Sequence, residues 1–379
     1  MSGIRIAIFH YAPLEYFPPV QNMLSALAGQ MADGNNVVVY TTLPNKTEPL
    51  FEPGDKRIRI IRTGNFSFGL SQFQRYVAYL KYYFISLFGS IKFQPEKLLY
   101  YETISSLSPV LYKTLINRNA GLFIHYHEYM TPEEYNGMFL NRNLLNLEKK
   151  VFDKAEWISH TNAERLKLFC RDTGYNRIEN IHELPNYPPG TWNVKRKERT
   201  GDGKLKLVYV GSFGSMDTIY IREIVEWVSK HSRQISLDIF SNNISKEVQE
   251  WISKEPRKGI SFHGNIPNNG LPEILPWYDV GLILYKGASV NFVYNAPNKL
   301  FEYLVCGLDV WYPKEMLGIY SYDCETANPR VIRCDFSQLG EIPLSYVEGR
   351  ARLPEREINF RFEAISAPLI QKILSSQKP

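Results

Sequence analysis

Residues 295–310 read NAPNKLFEYLVCGLDV, and this stretch predicts the start of a helix that follows a buried strand. The apolar run at 280–285 has the length of a strand in a parallel sheet, and a loop with glycine and asparagine separates it from the helix. Pro297 suits a first helical turn, where a missing N–H has no cost. Gly307 can end the helix, and 308–312 can form the next strand. We therefore expect an α/β chain with a strand–loop–helix–strand unit here.

The start of this helix has the chemistry for binding a phosphorylated ligand. In open α/β sheets the free N–H groups of a first helical turn lie beyond the carboxyl end of a strand, where phosphates bind. Asn298 and Lys299 stand at that position, and Lys299 adds a positive charge. Glu302 follows one turn later, where its carboxylate can accept two hydrogen bonds from a ribose diol. A surface acid near a helix N-terminus has the same pattern, so both interpretations stay open.

The run PNKLFEYLVCGLDV at 297–310 resembles the nucleotide-sugar motif of GT-B-type glycosyltransferases. The resemblance is to the retaining group related to sucrose synthase and to bacterial mannosyl- and glucosyltransferases, and it extends from Ile4 to about Leu374. It implies that Glu302 holds the donor ribose and that the loop ahead of the helix faces the donor sugar and diphosphate. It also implies the GT-B fold, in which two Rossmann-like α/β domains face each other across a cleft.

Composition places the chain among ordinary globular proteins. Its 379 residues, 44% apolar and 22% charged, are enough for two domains. A net charge of +5 is well short of a dedicated nucleic-acid binder. The four cysteines lack CxxC spacing, which argues against a metal cluster or a disulfide framework and favours the cytoplasm. Residues 4–9 are too short for a signal-peptide core, and no apolar run of about 18 residues predicts a spanning helix.

The first residues predict a strand at 4–9, a helix at 20–32 and a strand at 37–42, which is a βαβ start and implies a parallel sheet. The loop at 10–19 has no GxGxxG, so a nicotinamide or flavin enzyme is disfavoured. That loop resembles the acceptor-side loop of the family. A further helix is expected over 106–118.

Two histidines follow each other on the strand predicted at 121–129. His125 and His127 are two residues apart, so an extended chain presents them on one face. No third ligand stands at a convincing spacing for zinc. His127 and Glu128 resemble the HE loop of the family, which implies that His127 faces the donor sugar at the reaction centre. Structural use is the expected role of His125.

The chain predicts a second α/β half. We expect an N-terminal acceptor domain at 1–190, a linker at 191–204, a donor domain at 205–357, and a terminal helix within 358–379 that crosses back to the first domain. The loop after a strand at 206–210 is either a phosphate-binding loop or a plain tight turn, and its family counterpart lies beside the donor diphosphate. The expected donor-binding residues are Gly211, Ser212, Gly214, Ile266 near the base, Tyr285, Asn298, Lys299, Leu300 and Glu302.

The segment Gln72–Phe93 is an aromatic and basic helix. Phenylalanines and tyrosines alternate there with Arg75, Lys81 and Lys92. The pattern fits a core or domain-interface helix, and it also fits a helix that lies on the inner face of a membrane. Both interpretations stay open.

The resemblance implies a glycosyltransferase that moves a sugar from a nucleotide-sugar donor to an acceptor hydroxyl on a glycan or a lipid-linked glycan. No cofactor is expected, and the chain contains no Asp-x-Asp to chelate a divalent ion, so Lys299, helix amides and Arg222 or Lys286 would neutralise the leaving group. Tyr294 stands where the full retaining motif has an acid, and Asp309 replaces a common proline. A nucleotide-sugar 2-epimerase and a catalytically silent binding protein of this fold are the alternatives.

Overall fold

The computed structural model describes residues 3–44, 49–66, 69–192, 194, 197, 203–241, 244–253, 257–340 and 353–375. The chain divides into two compact units. The first unit contains the chain up to Pro185 and again from Phe362, and the second contains Asn186–Arg361. Much of the linker expected over 191–204 lies outside the described residues.

A seven-stranded parallel sheet forms the centre of the first unit. Its strands are β1 (Arg5–Phe9), β2 (Asn36–Leu43), β3 (Ile58–Asn65), β4 (Lys97–Tyr101), β5 (Gly121–Tyr126), β6 (Trp157–His160) and β7 (Ile181–Glu183). They lie in the order β3-β2-β1-β4-β5-β6-β7. Every residue of β4 and β5 is buried, as expected of central parallel strands covered on both faces.

Helices of the first unit follow local sequence signals. They are α1 (Pro18–Gln30), α2 (Gln72–Phe93), α3 (Leu107–Leu111), α4 (Pro132–Gly137), α5 (Phe139–Glu148) and α6 (Ala163–Thr173). The first of them starts two residues before the predicted position, because prolines at the first helical positions lack only N–H groups that would be unpaired there. Ser71 and Gln74 form a reciprocal capping box that starts α2.

The single helix expected over 106–118 is wrong in its second half. After α3 the chain widens into a π-helical turn at Tyr112–Ile116, closed by the Asn117 N–H donating to the Tyr112 carbonyl at 2.9 Å. The Lys113 ammonium donates to the carbonyls of Arg118 and Ala120, at 2.8 and 2.6 Å, and so holds the chain as it turns toward β5. These contacts satisfy two carbonyls that lie beyond the end of the helical segment.

The second unit contains a six-stranded parallel sheet. Its strands are β8 (Leu205–Val210), β9 (Ile235–Phe240), β10 (Ile260–His263), β11 (Val280–Leu282), β12 (Asp309–Pro313) and β13 (Val331–Cys334), in the order β10-β9-β8-β11-β12-β13. Side chains alternate between two apolar clusters: Leu207 and Tyr209 pack into one and Val208 into the other.

Helices of the second unit are α7 (Ile221–Lys230), α8 (Lys246–Ser253), α9 (Leu271–Ile274), α10 (Val290–Val293) and α11 (Asn298–Val305). Pro297 precedes α11 in an extended conformation and is not in its first turn as expected. The last helix, α12 (Phe362–Leu374), belongs to the first unit and contacts α1. In the described ranges, no helix combines the length and hydropathy needed to cross a bilayer.

Candidate functional site

The strand order of the second sheet indicates a candidate ligand site at its carboxyl edge. Chain order reverses between β8 and β11, so the loops that follow these two strands lead in opposite directions from the carboxyl edge, and a crevice is expected between them. Open α/β sheets bind ligands at such points. The loop at 211–215 follows β8, and the loop that leads into α11 follows β11. The predicted donor residues of these loops therefore belong to one edge of one sheet.

Tyr303 fixes α11 against this edge. Its hydroxyl accepts a hydrogen bond from the Val210 N–H at 3.0 Å, at the end of β8. Its ring covers Gly281 of β11, where an added Cβ would lie 2.2 Å from the ring. Any side chain at Gly281 would thus displace the helix. Tyr303 thus holds α11 against both β8 and β11.

The first turn of α11 offers backbone donors. Pro297 is extended, and no side chain among the described residues caps the helix there. The Leu300 N–H already donates to the Pro297 carbonyl at 3.0 Å, which leaves the N–H groups of Asn298 and Lys299 as the candidate anion donors. The Leu300 side chain is fully buried in the core. Leu300 therefore positions the helix.

Lys299 and Glu302 form an ion pair within this turn. The Lys299 ammonium donates to Glu302 Oε2, and Glu302 is only 3% exposed. A carboxylate has room for further hydrogen bonds on its other lone pairs. The pair places a cation and an anion side by side at a helix start, which suits a ligand that carries both phosphates and a diol.

The loop after β8 is shaped by Tyr209. Its hydroxyl donates to the Ser212 carbonyl at 3.1 Å, and an added Cβ on Gly211 would lie 3.0 Å from that hydroxyl. Ser212 and Gly214 are exposed. Close packing against Tyr209 therefore favours glycine at position 211, in addition to any contact that Gly211 makes with a ligand.

Two other predicted donor residues line the same apolar cluster as α11. Ile266 and Tyr285 are half-buried and pack against the cluster that contains Leu300. The Tyr285 ring stacks on Phe292, with centroids 4.9 Å apart. Lys286 is engaged elsewhere, because its ammonium pairs with Glu223 at 2.8 Å and donates to the Met216 carbonyl at 2.9 Å.

Asp309, which stands where the motif that 297–310 resembles has a proline, is a buried anchor. Its Oδ2 accepts from Arg330 Nε and Nη2 at 2.9 and 2.7 Å, and its Oδ1 accepts from the Arg330 N–H at 2.8 Å. The pair joins the starts of β12 and β13. Tyr294, the other departure, ends α10, and its carbonyl carbon would lie 2.5 Å from a Cβ on Gly318.

In the first unit, three strand ends gather around His127. Chain order reverses between β1 and β4, and His10 and Tyr101 stand at the carboxyl ends of these strands. The Tyr101 ring stacks on His127 with centroids 5.2 Å apart, and His10 lies 6.4 Å away. The His127 side chain is thus held at the reversal point of its own sheet.

His125 orients His127. Its Nε2 forms a 3.2 Å hydrogen bond with Nδ1 of His127, and its Nδ1 forms a 2.8 Å hydrogen bond with the Ser159 hydroxyl. Burial, followed by the charge of His160, lowers the pKa of His125 to about 3. His125 is therefore neutral at physiological pH and fits the structural role expected of it.

Glu102 and Arg165 clamp the backbone of the HE loop, and sequence reasoning missed both. Glu102 Oε1 accepts from the N–H groups of His127 and Glu128 at 2.6 and 3.1 Å, while the Arg165 guanidinium donates to the His127 carbonyl. Glu102 adopts φ = 61°, a conformation that is costly for a side-chain-bearing residue. The position of Glu102 directly after β4 is the sequence feature that could have identified it as a site residue.

The electrostatics of this clamp are unusual. Burial, then the nearby Glu128 charge, raises the pKa of Glu102 to about 8. Burial lowers the pKa of Arg165 to about 10. A carboxyl that holds a proton near neutral pH beside a histidine is a common feature of functional sites.

A cavity of about 200 Å³ is lined in part by the HE loop. Glu128, Tyr129 and His160 are among its lining residues, and both ring nitrogens of buried His160 lack a hydrogen-bond partner among the described residues. Within the described ranges, no three His, Cys, Asp or Glu side chains come together as a metal site would require.

Comparison with known proteins gives a structural match. The chain matches no protein-family model and no curated protein sequence. Sucrose-phosphate synthase from Thermosynechococcus elongatus matches with a TM-score of 0.67 and 14% identity, over 97% of this chain and 98% of that chain. Anabaena HepE in complex with UDP-glucose matches with a TM-score of 0.65 and 11% identity, over 98% and 95%. The lipopolysaccharide outer core galactosyltransferase WaaB matches with a TM-score of 0.62 and 11% identity, over 97% and 95%.

These matches span almost the whole chain and show its fold. It is the GT-B fold, with two parallel α/β sheets in two units. The fold class predicted from the motif at 297–310 is confirmed.

Proposed function

We propose that this protein is a glycosyltransferase that moves a sugar from a nucleotide-sugar donor to an acceptor hydroxyl. The observation that carries the proposal is the start of α11, where two available backbone N–H groups, Lys299 and buried Glu302 meet at the reversal point of the second sheet. The matched structures support it, because one of them holds UDP-glucose and another is named as a galactosyltransferase.

The donor site follows from this chemistry. The diphosphate is held by the first-turn N–H groups and Lys299, and the ribose diol by Glu302, with Ile266 near the base and the loop at Gly211 beside the phosphates. When the bond between the sugar C1 and the diphosphate oxygen breaks, negative charge grows on the leaving group. Fixed donors aimed at that oxygen stabilise the transition state more than the ground state.

Transfer forms a new bond between C1 and the acceptor oxygen, the acceptor hydroxyl gives its proton to the departing diphosphate, and the nucleoside diphosphate leaves. We assign to His127 the stabilisation of charge near C1, supported by its orientation through His125 and by the clamp on its backbone. Tyr294 stands at the position of the first motif acid, so retention of configuration would proceed without a carboxylate there. No resident metal is proposed, because the chain lacks Asp-x-Asp. A glycan or lipid-linked glycan is the proposed acceptor class.

A catalytically silent binding protein is the second candidate, and Tyr294 is the observation that favours it. A panel of nucleotide sugars, assayed for nucleoside diphosphate release with and without a chelator, separates the candidates. Transfer or slow hydrolysis that survives the chelator supports the enzyme. A changed sugar formed from donor alone indicates a 2-epimerase. Binding without any turnover across donors and acceptors indicates the silent protein.

A further inference from the structure

Helix α2 exposes a continuous apolar stripe. Its exposed large apolar side chains have between 37% and 77% of their surface in contact with solvent. A soluble monomer seldom presents a contiguous apolar surface of this kind without a function for it. This stripe consists of Phe73, Val77, Leu80, Phe84, Phe88 and Ile91.

The stripe is a regular feature of the helix. At 3.6 residues per turn its six members fall within an arc of about 80°, and the 22-residue helix is about 33 Å long. The opposite side of α2 is anchored: the Tyr83 hydroxyl donates to the Ile104 carbonyl at 2.8 Å, and the Ser86 and Ser108 hydroxyls bond at 2.7 Å. The helix therefore cannot turn its stripe inward without losing buried hydrogen bonds.

The charge on α2 has one sign. Arg75, Lys81 and Lys92 are exposed, and the helix contains no aspartate or glutamate. None of these three cations forms an ion pair with a carboxylate of the described chain. On the helical wheel the two lysines lie on one side of the stripe, about 20° and 40° beyond Phe88.

The neighbouring turn also exposes apolar side chains. The π-helical turn at Tyr112–Ile116 contacts α2 and exposes Leu115 and Ile116. Arg118, which follows it, is also exposed. Apolar and basic side chains are thus also exposed on a turn that contacts α2.

We propose that α2 is the surface by which this protein lies on an anionic lipid bilayer. Lysines drawn to anionic headgroups, with aromatic and aliphatic side chains in the interfacial layer, are the pattern of helices that lie in the membrane plane. A second copy of the chain is a poorer occupant, because a symmetric interface would bring cations against cations with no acid to pair with them. The proposal goes beyond glycosyl transfer and does not depend on it.

The test is co-sedimentation of the full chain with vesicles, which needs neither donor nor acceptor. Neutral phosphatidylcholine vesicles are compared with vesicles containing phosphatidylglycerol, at low and high salt. We expect the wild-type protein to bind the anionic vesicles, with an affinity that falls as salt rises. Lys81→Gln and Lys92→Gln should each lower that affinity by about fivefold. The double variant Phe84→Glu/Phe88→Glu should lower it by at least about tenfold. Ile178→Glu changes a residue that is 80% exposed outside this surface and serves as the matched control.

All altered side chains are exposed, so circular dichroism should show the variants folded. Failure of the wild-type protein to pellet with any vesicle overturns the proposal. Equal binding by the Phe84→Glu/Phe88→Glu variant and the Ile178→Glu control also overturns it. A lipid-free dimer that the stripe variant dissociates would reassign the surface to self-association.

Discussion

The Lys299 ammonium and the Glu302 carboxylate form an ion pair at the start of α11, three residues apart on one helix. Glu302 is almost fully buried, and Tyr303 beside it fixes the helix to β8 and covers β11. Both charges are therefore held in place before any ligand arrives. A site of this kind loses little conformational entropy on binding.

Lys299 is expected to act on phosphates. Lys299→Ala should weaken binding of a nucleoside diphosphate by about tenfold or more, since a hydrogen bond to a charged group is lost. Binding of the parent nucleoside, which has no phosphate, should change little. Calorimetry with both ligands measures this, with Lys230→Ala on the exposed end of α7 as the control. Equal losses for nucleoside and diphosphate would refute the phosphate role.

The Asp309–Arg330 pair is expected to stabilise the second sheet. Asp309→Ala leaves a buried guanidinium without its partner, so the free energy of unfolding should fall by about 3–5 kcal/mol. Chemical denaturation measures this loss, with exposed Glu226→Ala as the control. Nucleotide affinity of the folded variant should stay unchanged, because Asp309 lies at the opposite end of β12 from the crevice. A loss below about 1 kcal/mol would show that the pair is dispensable.

Glu102 predicts a pH dependence of stability. Its pKa is raised from 4.5 to about 8 in the folded state, by burial and then by Glu128. The folded state therefore keeps a proton that the unfolded state releases, and the stabilisation is complete below about pH 4.5 and lost as the pH rises to about 8. As the pH rises from about 5 to about 8, the free energy of unfolding of Glu102→Gln should therefore fall less than that of the wild-type protein.

Urea unfolding at several pH values measures this difference. Exposed Glu133→Gln, in the same unit, is the control and should follow the wild-type profile. If the free energy of unfolding depends on pH in the same way for Glu102→Gln and the wild-type protein, Glu102 has the same pKa in the folded and unfolded states, and the prediction is wrong. The contributions of buried His10 and His125, whose folded pKa values are lowered to about 4 and about 3, cancel in this comparison.

His127 is expected to act in the chemical step. His127→Ala should lower kcat by about 10²-fold and leave the donor Kd within about threefold, because contacts made in the transition state appear in kcat. Steady-state kinetics and calorimetry separate the two effects, with His231→Ala at the end of α7 as the control. Wild-type turnover in the variant would contradict this role and make His125 the next candidate.

The sequence predicted what depends on local pattern. Apolar runs and caps placed the strands and most helices, and the stretch at 297–310 led to the correct fold. Contacts between distant residues could not be read in this way. Asp309 and Arg330 are 21 residues apart and meet only because β12 and β13 pair in register. Glu102 meets the HE loop through the pairing of β4 with β5.

The side of α2 that is exposed to solvent could not be predicted from the sequence pattern either. Tyr82 and Tyr83 are buried while Phe84 is exposed, although all three are aromatic neighbours in the sequence. The choice depends on which side of the helix packs on α3 and on the sheet. Both interpretations of this segment were therefore compatible with its composition.

The central claim is that Glu302 holds the ribose of a nucleotide. Calorimetry should be performed on the wild-type protein and Glu302→Ala, each with a nucleoside diphosphate and with its 2′,3′-dideoxy form. We expect the variant to lose about 1.5–3 kcal/mol of affinity for the natural nucleotide. The wild-type protein should lose a similar amount on removal of the diol, and the variant should not distinguish the two ligands. An unchanged Kd in folded Glu302→Ala, or a variant that still prefers the diol, would contradict the account.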